Sequence, residues 1–202
     1  GTSDFNMYGG SINVMTEFVI AQSGTGNAIL HDGLIHSDDL FLARNASSNA
    51  IFTMNGGEIY LSDDFIVANN ASASSANFIM NDGFLQAEDA YFGHGSHGNV
   101  LLKGGNILIT DDFRVANNVN STANVIMTGG NVMAEDVYLG NNGDATFNLR
   151  GGHIRASDDM FLGSAAAGSA NLFISGGNIS ITDEVLFASN ADATSHTEMS
   201  GG

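Results

Sequence analysis

The sequence predicts an all-β chain wound as a right-handed parallel β-helix, a β-solenoid of about 8 coils of 22–26 residues with three short strands per coil. Three observations predict it. A Gly-Gly or Asp-Gly pair recurs along the whole chain, its second glycine falling at Gly10, Gly33, Gly57, Gly83, Gly105, Gly130, Gly152, Gly177 and Gly202. Each unit between pairs holds three short apolar pieces that alternate with period two, the mark of half-buried strands. No segment carries a sustained 3.6-residue period, so helix is not expected. A repeat of this length buries its apolar faces only by stacking on the next copy, which is the physics of a solenoid. Right-handed crossover is the default for parallel strands, and eight coils at about 4.8 Å each give a rod of roughly 38 Å.

The first strand of each coil precedes the glycine pair and reads Phe-x-Met in its clearest form, as in Phe52-Thr53-Met54 and Phe78-Ile79-Met80. The second follows the pair with one inward aliphatic residue, Ile12, Ile35, Ile59, Leu85, Ile107, Val132, Ile154 or Ile179. An acidic pair comes next. The third strand then alternates as Phe65-x-Val67, Phe113-x-Val115, Val137-x-Leu139 and Val185-x-Phe187. The turn into this strand alternates in length over the first six coils, and the shorter coils place Ser37, Ala87 and Ala134 where longer ones place Val14, Leu61 and Ile109. A narrower coil calls for a smaller inward side chain. Asn-rich loops close each coil, as at Asn69-Asn70, Asn117-Asn118 and Asn141-Asn142, each preceded by Ala68, Ala116 or Gly140, as a tight bend against a core requires. The whole chain, 1–202, reads as a single solenoid domain.

Composition narrows the function. Acidic residues number 22 against 5 basic ones, for a net charge of −17. Phosphate backbones and anionic bilayers are repelled by such a surface, so neither nucleic acid nor a lipid surface is an expected partner. There is no cysteine and hence no disulfide or thiolate site. No apolar run approaches a membrane span, and no signal peptide is visible.

The glycine-pair repeat and its three-strand unit resemble the β-solenoids of secreted bacterial surface proteins, namely autotransporter-like passengers and the glycine-pair repeats of PEP-CTERM-type exported proteins. The likeness covers the whole chain. It implies an extracellular or cell-surface location. It implies no catalytic residue, because no catalytic motif of such proteins has a counterpart here.

The sharpest chemical feature is the acidic pair. Its second position is Glu17, Asp39, Asp64, Asp89, Asp112, Asp136, Asp159 and Glu184, and its first is acidic in every coil but that of Thr16. In-register stacking sets like charges about 5 Å apart, which costs roughly 1 kcal/mol per pair in water and several times more near a protein surface. Three things could offset this. Ca²⁺ could share oxygens along a ladder of Asp38, Asp39, Asp63, Asp64, Asp111, Asp112, Asp158 and Asp159. Turn N–H groups could bond the carboxylates. Solvation alone could suffice. No coil shows the full Gly-rich calcium nonapeptide or an EF-hand loop.

The outward column of the third strand reads Val19, Phe41, Ile66, Tyr91, Arg114, Tyr138, Phe161 and Leu186. A solvated face would be polar here, so Phe41, Ile66, Tyr91, Arg114, Tyr138 and Phe161 form a candidate ligand or contact surface. Cross-coil stacking, burial against another copy and a platform for sugar rings all fit it. A second outward column, Ile29, Thr53, Ile79, Leu101, Ile126 and Phe173, is apolar but interrupted by Asn6 and Asn148. Arg150-Gly-Gly-His153-Ile-Arg155 makes a small cationic corner, and His94-Gly-Ser-His97 is a weak two-histidine motif in a loop.

These features favour a noncatalytic structural or interaction module, a stalk, adhesin or filament whose partners are itself or a polysaccharide. A carbohydrate-binding solenoid is the alternative. A polysaccharide lyase or hydrolase is less favoured: Arg114 beside Asp112 and Tyr138 is the best catalytic trio, yet the loops are short. Ice binding would want a flat threonine ladder, which is absent. Both ends of the sequence lie at the same phase of the coil without an evident cap, so excision from a longer solenoid or head-to-tail stacking is expected.

Overall fold

The computed structural model describes residues 1–70 and 74–202. No helix occurs among them; 23 strands do, and every strand pair is parallel. The chain is a β-solenoid of about eight turns. First strands stack on first strands in one-to-one register, as in Asn49–Met54 on Ser75–Met80 and His97–Leu102 on Thr122–Met127. Third strands form their own eight-stranded sheet, from Glu17–Ile20 through Asp112–Val115 to Val185–Phe187.

One detail departs from three short strands per coil. In the first two coils Thr2–Asn13 and Thr25–Ser37 run through the glycine corner as single strands, joined by register irregularities at Met7, Tyr8 and Ser11. The first and second strands therefore belong to one 15-stranded sheet. From the third coil on, the corner is sharp.

The core is one continuous column. Phe52, Phe78, Phe65, Phe92 and Phe113 interlock along it, with ring centroids 5.6 Å apart for Phe52–Phe78 and 5.0 Å for Phe65–Phe78 and Phe92–Phe113. The inward aliphatic residues Ile35, Ile59, Leu85 and Ile154 are fully buried. Ser37 pairs with Leu61, and Ala87 with Ile109, in register as the alternating turn lengths require. Ala156 also stands in this inward column, although its coil has the longer turn, so turn length alone does not set side-chain size. The core is least covered in the last coil, where Val185 and Phe187 are about half exposed.

Two corners explain the repeat. At the glycine pair, Gly57 has φ +79, and a Cβ there would lie 2.8 Å from the Gly33 carbonyl oxygen of the coil below. Only glycine permits that approach. At the other corner a left-handed residue ends each third strand, alanine in Ala43, Ala68 and Ala116 (φ 57, 59 and 57), glycine in Gly93, Gly140 and Gly163. The three alanine methyl groups are fully buried, so packing offsets the backbone strain.

Candidate functional site

The third corner, between second and third strands, gathers nearly all of the acidic pairs. Stacking divides each pair into two roles. The first residue, such as Asp38, Asp63, Asp111 or Asp158, is exposed. The second, such as Asp39, Asp64 or Asp159, is half-buried, and Asp112 is buried.

Four of the second residues bond the coil above. Asp39 Oδ1 accepts from the Asp64 amide at 3.1 Å, Asp89 Oδ1 from Asp112 at 2.9 Å, Asp136 Oδ1 from Asp159 at 2.8 Å, and Asp159 Oδ1 from Glu184 at 2.9 Å. Among the expected ways to offset stacked charge, the turn-amide bond is therefore the one these carboxylates use. Glu17 instead receives both terminal nitrogens of Arg44. Ser62 Oγ donates to Asp38 Oδ1 at 2.7 Å.

Asp64 is the exception. Its carboxylate has no hydrogen-bond partner among the described residues. Burial first, then the charges of Asp63, Asp89, Asp39 and Glu88, push it up to about 7. Asp39 is also raised, by burial and by Asp63, Glu17 and Asp38, against the lowering effect of its amide bond. An open groove of about 650 Å³ runs along this corner, lined by Thr16, Glu17, Asp38, Asp39, Ser62, Asp63 and Glu88.

The stacking breaks the anticipated calcium ladder into three separate groups. Carboxylate oxygens come within 4.8 Å of one another in Asp39–Asp63–Asp64, in Asp89–Asp111–Asp112 and in Asp158–Asp159–Asp183. Asp38 joins none of them, whereas Asp89 and Asp183, which the sequence reading left out of the metal set, each complete one. The middle group is a poor cation site, because Arg114 already pairs with both Asp112 and Asp89, the latter at 3.2 Å. The other two could offer a hard cation carboxylate oxygens.

The outward column of the third strand lies beside the acidic corner and is tied to it. Arg114 sits between Tyr91 and Tyr138, its guanidinium carbon 5.4 Å from each ring centroid. Tyr91 donates its hydroxyl to Asp89 Oδ2 at 2.7 Å, Tyr138 to Asp136 Oδ2 at 3.0 Å, and Arg114 Nη1 donates to the Tyr91 oxygen at 3.1 Å. Tyr138 stacks on Phe161 at 4.6 Å with the rings 5° from parallel. Arg44 lies 4.8 Å over Phe41. Burial and the Asp136 bond push the Tyr138 hydroxyl up to about 12, and burial with the Asp89 bond raises Tyr91 as well. Phe41 and Ile66 are only 8% and 6% exposed, so this part of the column is covered by its own neighbours.

The remaining candidates separate. His94 packs edge-on against Tyr91 at 4.7 Å, and its pKa is lowered by burial and by Arg114. His97 is not in the loop but opens the strand His97–Leu102, where it bonds Thr122 Oγ1 at 2.6 Å. Neither histidine joins a metal-capable group among the described residues. Arg150 and Arg155 form no ion pair among them either, while His153 bonds Ser180 Oγ at 3.0 Å. Sequence reasoning missed the Tyr-Arg-Tyr stack as a unit, although the in-register positions of Tyr91, Arg114 and Tyr138 carried the signal.

No protein-family profile, curated protein or solved structure matches this chain.

Proposed function

We propose that this chain is a noncatalytic structural and interaction module, a rod segment of an exported bacterial surface or extracellular-matrix protein that serves as stalk, adhesin or filament. One observation carries the reading. The best candidate for a catalytic constellation among the described residues, Arg114 with Asp89, Asp112, Tyr91 and Tyr138, is already bonded to itself across three coils. An arginine or tyrosine that takes a proton from a sugar needs a free approach and a lowered pKa. Here the guanidinium is sandwiched and ion-paired, and both hydroxyls are raised rather than lowered. The exported location rests on the likeness to surface solenoids.

On this reading Ca²⁺ is an adjunct to packing, placed at Asp39–Asp63–Asp64, where the Asp64 carboxylate has no hydrogen-bond partner among the described residues. The test is an activity assay. The chain is incubated with polygalacturonate, alginate and hyaluronate, with and without Ca²⁺, while unsaturated products and reducing ends are followed. No product is expected. Product formation that disappears in Arg114→Met overturns the noncatalytic reading.

A further inference from the structure

The outward face of the first strands is unlike the rest of this surface. Its three columns run along the rod axis, and in the five coils from Thr25 to Met127 the stretch of each strand that precedes the glycine corner, 25–30 in the first of them, contains no Asp, Glu, Lys or Arg. That is a neutral face on a chain of net charge −17. Two adjacent columns carry a recurring pair, an amide followed two residues on by an apolar side chain: Asn27 and Ile29, Asn77 and Ile79, Asn99 and Leu101, Asn124 and Ile126, Asn171 and Phe173.

Between these columns lies a groove of about 310 Å³, spanning four coils and walled by Ile51, Asn77, Asn99 and Asn124 on one side and Ile79, Leu101 and Ile126 on the other. The asparagines do not satisfy one another fully. Asn99 donates to Asn77 Oδ1 at 3.2 Å, but the Asn124 and Asn171 side chains have no hydrogen-bond partner among the described residues. Asn99 and Asn124 are exposed.

We propose that this groove binds a neutral, extended, β-linked polysaccharide chain lying along the rod axis. Such a chain presents C–H faces and equatorial hydroxyls together, and the groove presents an aliphatic wall and an amide wall together. Coils repeat at about 4.8 Å, close to the length of one hexopyranose in an extended chain, so one Asn and one aliphatic residue meet each sugar. The groove accommodates about three sugars. Absence of charge suits a neutral glycan and gives no counter-charge to a cationic polymer, while a polyanion is repelled by the rod as a whole. This places the ligand on the first-strand face, away from Tyr91 and Tyr138.

The inference rests on the interaction-module reading and fails separately from it. Titrating the intact chain with cellohexaose, by calorimetry and by amide chemical shifts, is expected to give saturable binding with shifts confined to the Asn77, Asn99 and Asn124 strands. Leu101→Asp should weaken it at least tenfold and Asn124→Ala about threefold to tenfold, with unchanged circular dichroism. Oligogalacturonate should not bind. No binding of cellohexaose, laminarihexaose or chitohexaose at millimolar concentration overturns the inference and leaves the scaffold reading intact. Binding unchanged in Leu101→Asp, or shifts centred on Tyr91 and Tyr138, overturns it as well. So does a concentration-dependent dimer that Leu101→Asp abolishes, since a second copy would then be the occupant. Hexaose binding accompanied by turnover supports the groove and overturns the noncatalytic reading instead.

Discussion

Arg114→Met tests whether the acidic corner holds the rod together. The guanidinium bridges three coils through Asp89, Asp112, Tyr91 and Tyr138, and Asp112 is 8% exposed. Removing one partner of a fully buried pair costs about 3–5 kcal/mol, and of an exposed pair about 0–1. With side chains 11–22% exposed, this pair lies between, near 2 kcal/mol. Two cation–π contacts add about 0.5–1 kcal/mol each. The expected loss is about 3 kcal/mol, or roughly 6–12 °C in Tm for a chain of this size. Because coils couple only to their neighbours, the loss should be local. Hydrogen exchange should therefore accelerate in Ala90–Phe92, Asp112–Val115 and Asp136–Leu139 before it does in Glu17–Ile20. Adding Asp112→Asn to Arg114→Met should recover about 1 kcal/mol by removing the orphaned charge. A Tm within a degree of wild type, or exchange that rises evenly along the rod, refutes the reasoning.

The Asp64 pKa is raised, so its contribution to stability is fully present below about pH 4 and is lost as pH rises toward 7. Asp64→Asn should flatten that loss and gain at most about 2 kcal/mol at pH 8 after allowance for solvent screening; a wild-type melting temperature that climbs from pH 5 to 8 contradicts the sign. Phe78→Ala should cost about 3–5 kcal/mol in a denaturant melt, since the ring is fully buried among Phe52, Phe65 and Phe92. Ile66→Ser should cost about 2 kcal/mol despite its outward direction, because Ile66 is 6% exposed; a cost near zero would mean its neighbours do not cover it in solution. Gly93→Ala should cost more than about 1–2 kcal/mol, with φ +75 and a Cβ 2.6 Å from the Thr122 carbonyl oxygen, whereas Ala116→Gly should stay within about 1 kcal/mol; equal effects in thermal melts would refute the strain argument.

The fold was legible because each coil repeats the same demands. Glycine at Gly57, Phe-x-Met before it and Phe-x-Val after the acidic pair are local signals, and stacking is the one way to bury them together. The outward column was harder to read. Ile66 and Phe41 look exposed from alternation, yet neighbours above and below cover them, and only the three-dimensional stack shows how much. The metal groups were partly legible for the same reason: sequence placed Asp38 and Asp39 alike, but the turn sends Asp38 to solvent and tucks Asp39 under the next coil. The first-strand groove was half visible. The column Ile79, Leu101 and Ile126 stood out, whereas its amide wall was easily taken as ordinary polar exposure until the register set both columns side by side.

The acidic corner is expected to stand without a cation. Stacking sets like charges about 5 Å apart, and at the effective dielectric of a protein surface each pair costs roughly 3 kcal/mol. An amide bond to a charged carboxylate contributes about 1.5–3 kcal/mol, which is the same size. Four such bonds, on Asp39, Asp89, Asp136 and Asp159, and the two arginine clusters at Glu17 and Asp112 spread this compensation along most of the rod. Among the described residues, Asp64 alone of the inner carboxylates of the second to seventh coils has neither an amide nor an arginine, and burial with the neighbouring charges pushes it up to about 7. A cation should therefore matter there more than for the fold as a whole. Chelation at pH 8 is expected to lower Tm by no more than a few degrees and to leave the far-ultraviolet spectrum unchanged. Loss of the β spectrum in EDTA would mean that the amide bonds do not balance the repulsion and that Ca²⁺ is part of the fold.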